Sequence, residues 1–296
     1  MRSNLGRRDG AGRPGAGPSP LPAAGRAGAG LPVPATALRA GRRLPWRAWI
    51  PPSLVVAAVL GLWEAAVRLF GIPHYILPAP SEIVTVLVQR WEVFARHTAV
   101  TVGESVAGAA LGIGLGILLA MAMFLRSWLE QAIYPLLIAS QNVPIFAVAP
   151  LLVVWFGYGF GSKVAMAAVT VFFPMTVAVL DGLKRTDPDW VRLFRTMGAT
   201  RRQVFWRLRV PAALPAAFSG LKLAAIYASV GAVLGEWAGA GAGLGYLMLS
   251  ANAQLRVAEV FAAIVCLTPI GLVLLGLVVL AERRFTPWQR VTRDAQ

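Results

Sequence analysis

The chain has 296 residues, 57% of them hydrophobic and only 14% charged, whereas a soluble globular domain carries about 25% charged residues. Its formal net charge is +15, yet the Lys and Arg cluster in tails and in one loop between apolar runs, without the base-stacking aromatics of a nucleic-acid surface, so a polytopic membrane protein with no nucleic-acid partner is expected. The single cysteine, Cys266, lies in an apolar run, and His74 and His97 stand far apart, which leaves no disulfide framework, no metal centre and no catalytic constellation.

Residues 1–48 are rich in Gly, Pro, Ala and Arg and read as a disordered basic cytoplasmic tail. Arg42-Arg43 is followed by no convincing cleavage site, so a twin-arginine signal is not favoured. A first span is expected at about 51–70, with Trp63 as an interfacial anchor. Pro78, Pro80 and Ser81 read as a turn and helix N-cap, opening an amphipathic helix along the outer interface. The second span, about 98–124, carries Gly108, Gly112 and Gly116 at a spacing of four, with Gly114 between. That stripe allows close approach of a neighbouring helix, although membrane helices also tolerate glycine without cause.

The third span is expected at about 129–156, with Pro135, Pro144 and Pro150 inside it, and the fourth at about 163–180. A basic loop follows, then a fifth span at about 216–238, a Gly-rich outer segment over 239–256 and a sixth span at about 258–281. Arg283, Arg284, Arg290 and Arg293 close the chain. Six spans put both termini inside. The outer loops then hold only Arg90, Arg96, Lys163 and Arg256, partly offset by Glu82, Glu92 and Glu259, and the strongly basic segments share the cytoplasmic side.

The most distinctive stretch is the loop at about 184–215. It carries Lys184, Arg185, Arg192, Arg195, Arg201, Arg202, Arg207 and Arg209, a density that hydrocarbon does not accept. It reads as two short helices broken at Gly198, the second ended by Pro211 and Pro215. Gly198, nine residues, Leu208, one residue, Val210 and Pro211 reproduce the G-x9-I-x-L-P skeleton of the cytoplasmic loop in bacterial ABC-importer permeases. The Glu-Ala-Ala that precedes it in the family is replaced by Arg192, Leu193 and Phe194. ILPAPSEI after span one, SQNVPIFAVAPLLVVWFGYG and GEWAGAGAGLGYLM extend the resemblance to the nitrate/sulfonate/taurine group over about 49–287. The run from Ser140 to Gly159 is most similar to the branch that imports hydroxymethylpyrimidine, a thiamine precursor.

This resemblance implies an all-α, type I ABC-importer permease with about six transmembrane helices in a bacterial inner membrane, paired as a homodimer. It implies a partner ATPase and an extracytoplasmic substrate-binding protein. The chain has no G-x4-G-K-[ST] stretch, so ATP and Mg belong to the partner and no cofactor is expected here. The loop would form the coupling helix that enters a groove on the ATPase. Gly198, Ala199 and Thr200 would permit close approach, Arg195, Arg201 and Arg202 would meet acidic groups, and Phe194, Phe205 and Pro211 would seat and shape the loop. The arginines would equally serve to set topology or to bind anionic lipid.

For the translocation path the sequence offers Ser140, Gln141, Asn142 and Pro144, polar residues and a proline inside a span. They read either as a satisfied proline kink or as path lining. Trp155 would gate the outer mouth or belong to an aromatic belt. Glu236 would cap a re-entrant helix, face the binding protein or pair with Lys222, and Glu104 is a further intramembrane carboxyl. An ion-coupled secondary transporter is the rival class, but it would want midplane coupling carboxylates and an internal repeat. Substrate alternatives within the family are sulfonates, taurine and nitrate.

Overall fold

A computed structural model describes residues 50–287; the expected tails at 1–48 and 288–296 lie outside them. The described residues form helices and turns only. A bilayer core of about 30 Å needs about 20 apolar residues in helix. Among the described residues α3 (Trp91–Leu125), α6 (Phe160–Lys184), α9 (Val210–Trp237, continuous with residues from Arg201) and α11 (Val257–Phe285) satisfy that length and apolarity. A bent pair, α4 (Ser127–Ser140) with α5 (Ile145–Phe156), supplies a fifth. The first expected span coincides with the 20-residue helix α1 (Ile50–Leu69), which leaves Leu54, Val55, Val59 and Leu62 exposed but is not among the helices that meet that length and apolarity.

The core runs along α6, which packs against α9 on one side and α3 on the other. Its fully buried residues include Met166, Ala167, Val171 and Leu180. The α3 glycines explain how the backbones come so close. A Cβ on Gly108 would stand 2.3 Å from Ala167 Cβ, and one on Gly112 would stand 2.5 Å from the Ala168 carbonyl oxygen. Gly116 is less tightly placed, at 3.0 Å from Phe172 O, and Gly114 meets nothing. The four-residue stripe is therefore a packing face. Gly112→Leu is expected to lower stability by about 1–3 kcal/mol through overpacking, read as loss of monodisperse protein on heating before size-exclusion chromatography. Gly114→Leu should behave like the parent chain.

The expected single third span is broken. α4 and α5 meet at 105°, because Pro144 has no N–H to continue the ladder and disfavours helical backbone at Val143. The proline readings in the basic loop also need correction. Pro211 and Pro215 do not end its second helix. α7 (Pro188–Thr196) is followed by α8 (Arg201–Val204), a π turn over Phe205–Arg209 and then α9 itself. The Val210 N–H reaches back five residues to Phe205 O, so Pro211 falls in the first turn of α9, where a missing donor costs little.

Ser81 is not the N-cap of α2 (Pro80–Gln89); Ala79 holds that position without a side-chain bond. The orphan donor is satisfied from α1 instead: the Ser81 N–H donates to Glu64 Oε2 at 3.0 Å and its hydroxyl to Oε1 at 2.8 Å. Lys163 is not an outer-loop charge but a side chain in the first turn of α6 that is 1% exposed. Arg90 and Arg256, expected in outer loops, both pair with Glu259.

Candidate functional site

Two places hold the residues singled out in the sequence. The first is the loop between α6 and α9. Asp187 caps α7, its carboxylate accepting the Asp189 N–H at 2.8 Å, with Pro188 in the first turn. After α7 the chain reverses at Gly198, whose φ is +81°, a conformation that L side chains avoid. The N–H groups of Gly198 and Ala199 donate to the Arg195 and Phe194 carbonyls. Thr200 and Gln203 then form a reciprocal capping box: the Gln203 N–H donates to Thr200 Oγ1 and the Thr200 N–H to Gln203 Oε1.

A Cβ on Gly198 would meet nothing within the chain, so backbone conformation and not internal crowding requires glycine there. The loop divides into two faces. Val204 and Phe205 turn inward; Phe205 packs beside Phe124 of α3, over which the Arg209 guanidinium lies 4.8 Å from the ring centroid. Arg195, Arg201, Arg202, Trp190, Leu193 and Met197 are exposed. Phe194, Gly198 and Ala199 line a shallow cavity of about 280 Å³ together with Gln203 and Arg207. The outer face is thus basic and apolar at once.

The second place is a cavity of about 580 Å³ between the α4–α5 bend, α6 and α9. Ser140, Gln141, Asn142 and Pro144 line it from the bend, Thr170 and Phe173 from α6, and Tyr227 and Val230 from α9. The Ser-Gln-Asn segment makes local side-chain bonds at the bend and also lines the cavity. The Ser140 hydroxyl donates to Leu137 O at 2.8 Å and Asn142 Nδ2 to Ala139 O at 3.3 Å, which satisfies carbonyls freed by the break. Yet Gln141, Asn142, Val143 and Tyr227 remain exposed, so the cavity is open along that flank.

Trp155 and Glu236 do not line this cavity. Trp155 is 68% exposed near the end of α5. Glu236 is buried at the end of α9, and it does not pair with Lys222, which binds Glu282 of α11 at 2.6 Å instead. Its carboxylate accepts the Thr101 hydroxyl at 2.6 Å and the backbone N–H groups of Gly245, and of Tyr246 at 3.3 Å. It therefore caps α10 (Leu244–Ala253), whose Leu244 N–H donates to Thr101 Oγ1 and whose Gly243 N–H donates to His97 Nδ1.

Around this cap lies a buried polar group that sequence reading missed. Lys163 Nζ donates to the carbonyls of Tyr158 and, at 3.0 Å, of Gly239. Glu104, 3% exposed, neighbours Glu236 and Lys163, with its Oε2 unpartnered among the described residues. The burial of a lysine beside two carboxyls from different helices was signalled only by the positions of Glu104 and Lys163 at the ends of apolar runs. No group of His, Cys, Asp and Glu among the described residues has the arrangement of a metal site.

Residues 112–287 match the family of binding-protein-dependent transport system inner membrane components. The formylaminopyrimidine transport permease ThiX of Halalkalibacterium halodurans is 42% identical over 242 residues, covering 81% of this chain and 96% of that protein. The riboflavin transport system permease RibX of Chloroflexus aurantiacus is 33% identical, over 84% of this chain and 93% of its own length. The taurine transport system permease TauC of Escherichia coli is 29% identical, over 83% and 94%. Such proteins are transport subunits and not enzymes, and a permease of this kind works with an ATPase and a binding protein. The matched segment takes in the basic loop, the bent span and the α9–α10 cap together, and the chain belongs to this family of ABC-importer inner-membrane permeases.

Proposed function

We propose that this permease imports the pyrimidine precursor of thiamine, hydroxymethylpyrimidine or a close aminopyrimidine relative. The observation that carries the reading is the 42% identity to a formylaminopyrimidine permease across nearly the whole of that protein. The riboflavin permease also handles a flat heterocycle by its name, and it shares more identity with this chain than the taurine permease does. Two copies facing each other across the open flank of the α4–α5 cavity would enclose a path at the bend, with both termini cytoplasmic. This chain would bind no cofactor; ATP and Mg would be used by the partner.

In this reading the exposed face of the α7–α8 loop docks on the ATPase. Phe194, Gly198 and Ala199 form the shallow seat, Thr200 fixes its shape, and Arg195, Arg201 and Arg202 meet acidic groups of the partner. Phe205 and Pro211 hold the loop to its own bundle and pass its motion into α9. Closure of two ATPases would then rock the spans as rigid bodies between inward-open and outward-open states.

The test is reconstitution in lipid of this chain with the ATPase and binding protein encoded beside it. Binding protein loaded with hydroxymethylpyrimidine is expected to stimulate ATP hydrolysis several-fold and to drive uptake of the pyrimidine. Stimulation and uptake with taurine instead would overturn the substrate. Uptake that follows an ion gradient and ignores ATP would overturn the transporter class.

A further inference from the structure

We propose that the α4–α5 cavity is a selectivity site in its own right, binding an uncharged planar heterocycle through its hydrogen-bonding edge and excluding small anions. The proposal rests on the import reading above and adds a site that acts independently of the binding protein.

Charge decides the class. No Asp, Glu, Lys, Arg or His lines the cavity. The three lysines of α6 and α9 are already engaged, Lys163 with backbone carbonyls, Lys184 with Glu130 and Lys222 with Glu282. An anion moved into an apolar surrounding without a fixed positive partner pays a large desolvation penalty, whereas a neutral ring does not. One feature works the other way: the N-terminus of α5 opens at the rim and helix N-termini favour anions. There, however, the Ala147 N–H already donates to Pro144 O at 2.9 Å.

Shape and hydrogen bonding narrow it further. Phe173 of α6 and Tyr227 of α9 bring two aromatic rings to the lining, and flat ligands stack on such faces. The Gln141 side chain makes no hydrogen bond among the described residues, and Asn142 uses only one amide N–H, toward Ala139 O. A carboxamide presents a donor and an acceptor side by side, which matches the ring nitrogen and exocyclic amine of an aminopyrimidine, as Asn and Gln match adenine. The cavity of about 580 Å³ is within the usual size of small-ligand sites.

The experiment uses the permease–ATPase complex in nanodiscs without binding protein and radiolabelled hydroxymethylpyrimidine as probe. Saturable binding is expected, displaced by unlabelled pyrimidine and not by taurine. Asn142→Leu and Tyr227→Ala should each weaken it about ten-fold, and Leu272→Ala, exposed on α11 and off the cavity, should leave it unchanged. Each variant is first checked for assembly with the ATPase. Absence of saturable binding to the parent complex, displacement by taurine, or parental affinity in both cavity variants would overturn the site. The same complex with binding protein separates the two ideas: pyrimidine uptake without saturable permease binding sinks the site alone, and no pyrimidine uptake sinks the substrate reading.

Discussion

Gly198→Trp is expected to leave the permease assembled with its ATPase but to cut binding-protein-stimulated ATP hydrolysis and uptake at least ten-fold. Two effects act together at this position. The backbone sits at φ +81°, where a residue with a Cβ costs about 1–2 kcal/mol. The space above the glycine is empty within the chain, so an indole there projects from the face proposed to meet the partner. Gly198→Asn separates them, because asparagine tolerates the left-handed region and adds little bulk. Coupling retained in Asn and lost in Trp would place the contact at the loop tip. Normal stimulation in the Trp variant would remove this loop from the coupling path.

Glu236→Ala is expected to be the most damaging single change to stability. It strips the acceptor from the Thr101 hydroxyl and from the Gly245 and Tyr246 N–H groups, and it takes a carboxyl from beside the buried Lys163. Each buried donor left unmet costs about 1–3 kcal/mol, and the Gly245 and Tyr246 N–H groups are both left so while Thr101 keeps His97 O. The total is a large share of the stability of a domain. The variant should fail to accumulate or should lose its monodisperse peak at much lower temperature. Glu236→Gln, which keeps one acceptor oxygen, should be intermediate. A Glu236→Ala protein as heat-resistant as the parent would show that the cap is dispensable.

The legible and illegible parts of the sequence divide along chain distance. Gly198 and the α7–α8 break announce themselves because left-handed turns depend on residues close in the chain, whereas the equally local Thr200–Gln203 capping box went unread. The glycine stripe of α3 was readable for the same reason, its period being that of a helix face. Glu236 was not resolvable between cap, docking residue and ion pair, since its hydroxyl partner lies 135 positions away on α3. Lys163 was misread as a loop charge because a lone lysine at the edge of an apolar run looks solvated. Its hydrogen-bond acceptors are the carbonyls of Tyr158 and Gly239, and backbone atoms leave no trace in composition. Pro144 signalled a break but not its angle, which depends on how α5 packs against α6.

The π turn at Phe205–Arg209 joins the loop to α9 without a gap, so residues Arg201–Trp237 form one stretch of 37 residues. At 1.5 Å per residue such a rod is about 55 Å long. A tilt of about 5° at its Arg201 end carries its far end sideways by about 5 Å, nearly the rise of a helical turn. That far end is where Glu236 clasps α10, and Tyr227 rides along the shaft. The fold has thereby made a lever whose short arm lies in the α7–α8 loop and whose long arm reaches past the cavity to the α10 cap. Flexibility introduced at the π turn should therefore leave docking intact while the stroke is lost.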